Sequence, residues 1–223
     1  MIDLTKPFII AEAGTNHADA NSSNRLKKAL HYVEVAVEAG ADAVKFQMFA
    51  EPLTDMFCWI DGDEDRAARW LNSVLTFDQW WEVKKKADFL GIVLLASVFQ
   101  DKTITWIEEL GLEATKVASR AANTFPYGRG PKPYFVSNGM SSVPDDVIEF
   151  QCEANYPSTQ WWGKITPGFS DHSGSPARAV HALENGCKLI EVHFYDDPDD
   201  AGPDLLACLT IDQLSFVCRS KNV

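Results

Sequence analysis

Four times along this chain a helical pattern ends on a glycine and a short apolar run follows at once. Residues Asn24 to Ala39 place Leu26, Leu30, Val33 and Val37 at spacings of three and four, stop at Gly40, and lead into Ala43–Met48. Phe77 to Leu90, with Thr76 as N-cap, stops at Gly91 before Ile92–Ser97. Lys102 to Leu110 stops at Gly111 before Thr115–Ser119, and Pro176 to Asn185 stops at Gly186 before Leu189–Phe194. Glycine ends a helix because it reaches the left-handed conformation without a Cβ clash. A strand after each helix makes repeated βα units, which build a parallel sheet. Phe8–Ala13, Tyr134–Ser137, Val147–Cys152 and Thr166–Ser170 supply further strands and bring the count to eight. The expected fold is therefore a single α/β domain over residues 1–223, a (β/α)8 TIM barrel closed by a short helix over Leu209 to Val217.

The outer layer is uneven. Arg120 to Pro133 is rich in Gly and Pro, only Gly139 to Asp146 separates strands five and six, and Glu153 to Ile165 carries Pro157 and Gly163. Outer helices four to six are expected to be shortened or missing, leaving a thin side that a second subunit or a separate partner domain could cover.

Charge and cysteine content narrow the function classes. The formal net charge is −12, which argues against a broad nucleic-acid surface. An anionic substrate would need its own local positive site. The acidic clusters Asp61–Asp65 and Asp196–Asp204 read first as solvated loops. Five cysteines without CxxC spacing read as thiols of a reducing compartment. The first residues lack the basic start and apolar stretch of a signal peptide, and no apolar run reaches membrane-spanning length. A cytoplasmic protein is the expectation.

Alternation along strands decides what faces the barrel interior. His193 shares a face with Leu189 and Glu191, and lies at the C-terminal end of strand eight. His172 follows strand seven, one helix earlier, so the two imidazoles are expected side by side at one mouth of the barrel, where they can hold one divalent metal. A lone strand histidine is more often a hydrogen-bonded core residue; two on adjacent strand ends reverse that expectation. Lys45 and Gln47 turn inward on strand two, Glu12 on strand one, and Lys116 rides on strand four. Two lysines in one mouth repel unless an anion lies between them. Ser97, Ser119, Ser137 and Ser170 end four different strands and can cradle a phosphate or carboxylate.

The runs Ile9-Ile-Ala-Glu-Ala-Gly-Thr-Asn-His17, Ala39-Gly-Ala-Asp-Ala-Val-Lys-Phe-Gln47, Lys116-Val-Ala-Ser119, Ser137-Asn-Gly-Met140, Tyr156-Pro157, Gly168-Phe-Ser-Asp-His172, Glu191-Val-His-Phe194 and Gly202-Pro-Asp204 together resemble the sialic acid synthase family, in order over residues 8 to 206. The resemblance implies a transferase that condenses phosphoenolpyruvate with an N-acetylated amino-sugar or other sugar aldehyde, giving a nonulosonic acid and phosphate. It implies a divalent metal, Mn²⁺ by preference, on His172 and His193. It assigns Gln47, Ser97, Ser119, Ser137 and Ser170 with Lys45 and Lys116 to phosphoenolpyruvate, Glu12 to the reacting centres, and Tyr156 and Asp204 to the amino sugar.

Several positions depart from the family pattern. After Lys116-Val-Ala-Ser119 the chain continues Arg120-Ala121 where the family carries Gly-Glu, Ala154 replaces a polar residue, and residues 1–223 are expected to form the barrel domain alone, without the family's C-terminal antifreeze-like domain. The metal and phosphoenolpyruvate half is thus kept better than the sugar half. The departures leave open a non-catalytic or partner-dependent barrel that binds phosphoenolpyruvate or metal. A lysine Schiff-base aldolase using Lys45 or Lys116 ranks last, since it gives the histidine pair no role.

Overall fold

Eight parallel strands close on themselves in sequence order in the computed structural model, which describes residues 2–3, 5–58, 64–140, 142–159 and 166–222. They are β1 (Phe8–Gly14), β2 (Ala43–Met48), β3 (Val93–Val98), β4 (Thr115–Val117), β5 (Tyr134–Ser137), β6 (Ile148–Cys152), β7 (Gly168–Asp171) and β8 (Leu189–Tyr195). The ring shuts where β1 pairs with β8, from Phe8↔Leu189 to Glu12↔His193. The (β/α)8 expectation holds.

Helices cover the ring where the chain has amphipathic segments to supply them. Helix α1 (Ser22–Glu38) starts on Asn21, whose side chain accepts from Ser23 N. After β2 come α2 (Glu64–Ser73) and α3 (Phe77–Leu90). Thr76 and Gln79 close a capping box on α3, and Gly91 ends it at φ 75°. Next are α4 (Asp101–Glu109) before β4 and α5 (Pro176–Glu184) before β8. The chain finishes with one turn, α6 (Pro198–Ala201), then β9 (Leu209–Thr210) beside β8, and α7 (Ile211–Arg219) capped by Thr210.

The structure departs from the sequence expectation in several places. Helix α2 was not expected, and it begins within the acidic run; residues 61–63 lie outside the described residues. Strand β7 starts at Gly168 rather than Thr166 because Pro167 has no N–H for the ladder, although its carbonyl accepts from Lys188 and Leu189. Strand β4 stops at Val117, since the chain turns at Ala118, whose carbonyl accepts from Ala121 N. The second acidic cluster is folded rather than loose: Asp196 meets His31 at 2.6 Å and Asp200 meets Lys28 at 2.6 Å.

Between β4 and β7 no helix occurs among the described residues. Phe125, Tyr127 and Tyr134 pack edge to face in its place at 5.0–6.0 Å. On β6 the outward face is polar, with Glu149 accepting from Asn138 Nδ2 at 2.6 Å, so it needs less apolar cover.

Inside the ring the layers separate by chemistry. Phe8, Ile10, Ala43, Leu95, Ala114, Phe135, Phe150 and Leu189 form a buried apolar plug at the N-terminal end. Phe135 and Phe150 are fully buried with rings 5.4 Å apart, each contributing about 1.5–3 kcal/mol by burial. Two residues further along every strand but β6, which carries Cys152, the inward side chains turn polar, and that layer forms the floor of the mouth.

Candidate active site

Strand register puts the polar layer together. Glu12 faces Lys45 across β1–β2 and His193 across β1–β8, Ser97 faces Lys116 across β3–β4, and Ser170 faces Glu191 across β7–β8. All these side chains are buried. Lys45 Nζ lies 2.7 Å from Glu12 Oε2 and donates to Ser97 Oγ at 2.8 Å. Lys116 Nζ donates to Ser137 Oγ at 2.6 Å and stands 5.3 Å over the Phe150 ring, the top of the apolar plug.

The anion expected between the two lysines is built into the protein. Glu191 reaches both ammoniums at 3.6 Å and accepts from Ser170 Oγ at 2.9 Å. Burial works against its charge, yet Lys116 and Lys45 hold its carboxyl down at about 2. Burial instead pushes Glu12 up to about 7, against the pull of Lys45. The two carboxylates therefore differ in kind: Glu191 is a fixed charge, whereas Glu12 can take and return a proton near neutral pH. Burial also lowers Lys116 below its usual pKa, while in Lys45 the same burial is outweighed by Glu12 and Glu191.

The two histidines stand above this layer with ring centroids 5.3 Å apart. His172 Nδ1 lies 2.6 Å from the Glu153 carbonyl. A carbonyl only accepts, so Nδ1 carries the proton and Nε2 presents a lone pair to the mouth. Burial lowers His172 to about 4 and His193 well below 6.5, where His172 adds to the effect. Two neutral imidazoles, one with its tautomer set by a backbone carbonyl, are the donor type that divalent metals take.

Gln47, Ser119 and Tyr156 join this floor, an inner space of about 50 Å³, to an outer chamber of about 400 Å³. Arg66 and Trp70 of α2, Arg120 and Asp204 line the outer chamber. Burial raises the Asp204 carboxyl, and Arg66 and Arg69 oppose the rise. Arg120 lies over the Trp70 ring at 5.4 Å. Every site residue named from the sequence thus lies at one mouth. Ser97, Ser137 and Ser170 are in the floor, Ser119 is at the rim, and Asp204 is in the outer chamber. Tyr156 lines both spaces, and its Oη lies 3.0 Å from His172 Nε2.

Sequence reasoning missed Glu191 as a functional group, although alternation had placed it on the face of His193. It also missed Arg66, Arg69 and Trp70, because α2 was not foreseen.

Comparison with known proteins bears on this geometry. The NeuB family profile matches residues 32–152 and 145–222. The chain is 27% identical to an N-acetylneuraminate-9-phosphate synthase of Homo sapiens, covering 97% of this chain and 69% of that protein. It is also 27% identical to an N,N'-diacetyllegionaminic acid synthase of Legionella pneumophila (96% and 70%) and to a pseudaminic acid synthase of Campylobacter jejuni (93% and 71%). A crystal structure of a sialic acid synthetase from Leptospira borgpetersenii superposes with a TM-score of 0.77 at 22% identity, over 98% of this chain and 84% of that one. That likeness shows the fold. No helix among the described residues is long and apolar enough to cross a membrane.

Proposed function

The chain belongs to the NeuB family, and on that premise we propose that it is a synthase joining phosphoenolpyruvate to a sugar aldehyde to make a nonulosonic acid and phosphate. The observation that carries this reading is the buried floor of Lys45, Lys116, Ser97, Ser137, Ser170 and Glu191 directly below two neutral imidazoles. Relatives named for N-acetylneuraminate-9-phosphate, legionaminic and pseudaminic acid synthesis support the product class.

In the proposed reaction, C3 of phosphoenolpyruvate attacks the aldehyde carbon, water adds at C2, and loss of phosphate leaves the ketone. Lys45 and Lys116 offset the phosphate and carboxylate charges, and the serine hydroxyls orient them. Glu191 favours the charged form of both ammoniums, against the burial that disfavours it. Glu12, with a pKa near 7, holds the proton that water gives up as it adds at C2. His172 and His193 would hold a divalent cation, with Mn²⁺ the first choice, that polarises the aldehyde oxygen as a Lewis acid. The fit rests on the Glu153 carbonyl that fixes the His172 tautomer. The sugar itself occupies the outer chamber beside Asp204, Arg66 and Arg120.

The test is phosphate release by the full chain with phosphoenolpyruvate, Mn²⁺ and a panel of amino-sugar and aldose aldehydes, with the product mass read in parallel. Release is expected only when metal and a suitable aldehyde are both present. Phosphoenolpyruvate binding by calorimetry with no release from any aldehyde would overturn synthesis in favour of the binding-only barrel.

A further inference from the structure

The outer chamber of about 400 Å³ falls within the ~300–1,000 Å³ of small-ligand sites. Its described lining sets two cations, Arg66 and Arg120, against one carboxyl, Asp204, in a protein whose formal net charge is −12. Arg66 of α2 acts on Asp204, together with Arg69, which does not line the chamber. Arg120 comes from the loop after β4. Its guanidinium carbon lies 5.4 Å from the centre of the Trp70 ring. Trp70 in turn stacks on Phe49 at 5.2 Å, and Phe49 on Phe99 at 4.9 Å, so the cation sits against a stack of three rings.

Of the three residues after Ser119, only Arg120 reaches the chamber. Ala121 N donates to the Ala118 carbonyl at 2.9 Å and Ala122 N to the Ser119 carbonyl at 3.4 Å, so the chain turns there. Ala121 and Ala122 are at most 2% exposed, whereas Ser119 and Arg120 line the chamber. Ser119 lines the floor as well, and Arg120 does not. A step of one residue thus leads from the phosphoenolpyruvate rim into the acceptor's space. The aldehyde carbon has to meet C3 of phosphoenolpyruvate at the boundary, which leaves the acceptor's far end in the outer chamber with Arg120. Here too the chain reads Arg120-Ala121 where the family carries Gly-Glu, a cation in place of a carboxylate. A guanidinium held against aromatic rings has its fork set in advance, and it binds carboxylate and phosphate through two parallel hydrogen bonds.

We propose that Arg120 is a specificity-determining residue and that the acceptor carries an oxyanion, a phosphate ester or a carboxylate, at the end remote from its aldehyde. The proposal rests on the reading that the acceptor sugar occupies the outer chamber. Hydrogen bonds to an ionised acceptor group are roughly twice as strong as those between neutral groups, so charge on the sugar would decide affinity. The competing account has the guanidinium donating only to neutral hydroxyl or amide oxygens, and then charge on the sugar gains nothing.

The experiment measures binding by calorimetry to the full chain, native and as Arg120→Met and Arg120→Lys variants, freed of metal so that no turnover occurs. Excess phosphoenolpyruvate keeps the floor filled, and its own binding there reports that each variant is folded. The probes are a neutral N-acetylhexosamine, its 6-phosphate and the matching N-acetylhexosaminuronic acid. At least one anionic probe is expected to bind the native chain about tenfold or more tighter than the neutral sugar. Arg120→Met should cut that preference below about threefold, and Arg120→Lys should keep an intermediate one. A preference for the phosphate alone, or for the uronic acid alone, identifies the group that is read. Equal binding of the three probes by the native chain, binding of none, or an anionic preference that survives Arg120→Met would overturn the proposal and leave synthesis standing. Phosphoenolpyruvate that fails to bind the native chain would overturn the proposed function instead, and the comparison of the three probes between native and Arg120→Met protein still decides the role of Arg120.

Discussion

Lys45 Nζ lies 2.7 Å from Glu12 Oε2 across the first two strands, with both side chains at most 3% exposed. Removing one partner of such a pair leaves a buried charge without its counter-ion, at a cost of about 3–5 kcal/mol. In a chain of this size that lowers Tm by roughly 6–20 °C. Lys45→Met is expected to show this loss by calorimetry and to release no phosphate. Glu12→Gln keeps the shape and removes the proton acceptor. It should hold KM for phosphoenolpyruvate within a few-fold while kcat falls about 10²-fold. An unchanged kcat would remove Glu12 from proton handling.

His17 gives a prediction independent of the active-site chemistry. It is fully buried between Phe46 and Trp80, and its Nε2 lies 2.8 Å from the Ser73 carbonyl, to which it donates. Burial lowers its pKa from 6.5 to about 4. Between those values the unfolded chain binds the proton that the native state refuses, so this group's share of stability is present above pH 6.5 and falls as pH drops towards 4. That share amounts to about 3 kcal/mol. His17→Gln should flatten the slope of urea-unfolding free energy between pH 6.5 and 4; an unaltered slope would mean that His17 does not drive it.

The architecture was legible because its signals are local. Helix stops at Gly40, Gly91, Gly111 and Gly186, and alternation within each strand, follow from backbone sterics and side-chain period alone. The same alternation placed Glu12, Lys45 and His193 inward correctly. Helix α2 escaped because only Trp70 of its described apolar side chains is deeply buried, and Leu71 is 44% exposed, so no apolar stripe marks it. The role of Glu191 depends on two lysines from other strands, a relation that exists only once the ring closes. Tyr156 follows the end of β6, where alternation no longer says which way a side chain points.

His172→Ala removes a proposed metal ligand and the donor to the Glu153 carbonyl. One buried hydrogen bond contributes about 1 kcal/mol, so Tm should fall by only about 2–4 °C. Metal-dependent phosphate release should be lost entirely. Retained release with that small Tm change would show that the pair is not the metal site.

The loop bearing Asp204 is held from two sides, and this sets the last prediction. Arg69 donates to Thr15 Oγ1 at 2.7 Å and to the Asp200 carbonyl, tying α2 and the β1 loop to the segment that leads to Asp204. On the other side Gly174 lies at φ 68°, and a Cβ there would run into the Leu206 carbonyl. Gly174→Ala therefore has to push residues 202–207 outward or strain its own backbone, at about 1–3 kcal/mol. Neither Arg69 nor Gly174 lines the phosphoenolpyruvate floor. Arg69→Met and Gly174→Ala should each raise KM for the sugar aldehyde roughly tenfold, equivalent to about 1.4 kcal/mol of lost binding, and leave KM for phosphoenolpyruvate within twofold. Because both act through the same loop, the double variant should lose less than the product of the single effects. Fully multiplicative losses would show that the two residues do not share the Asp204 loop as their route to the acceptor.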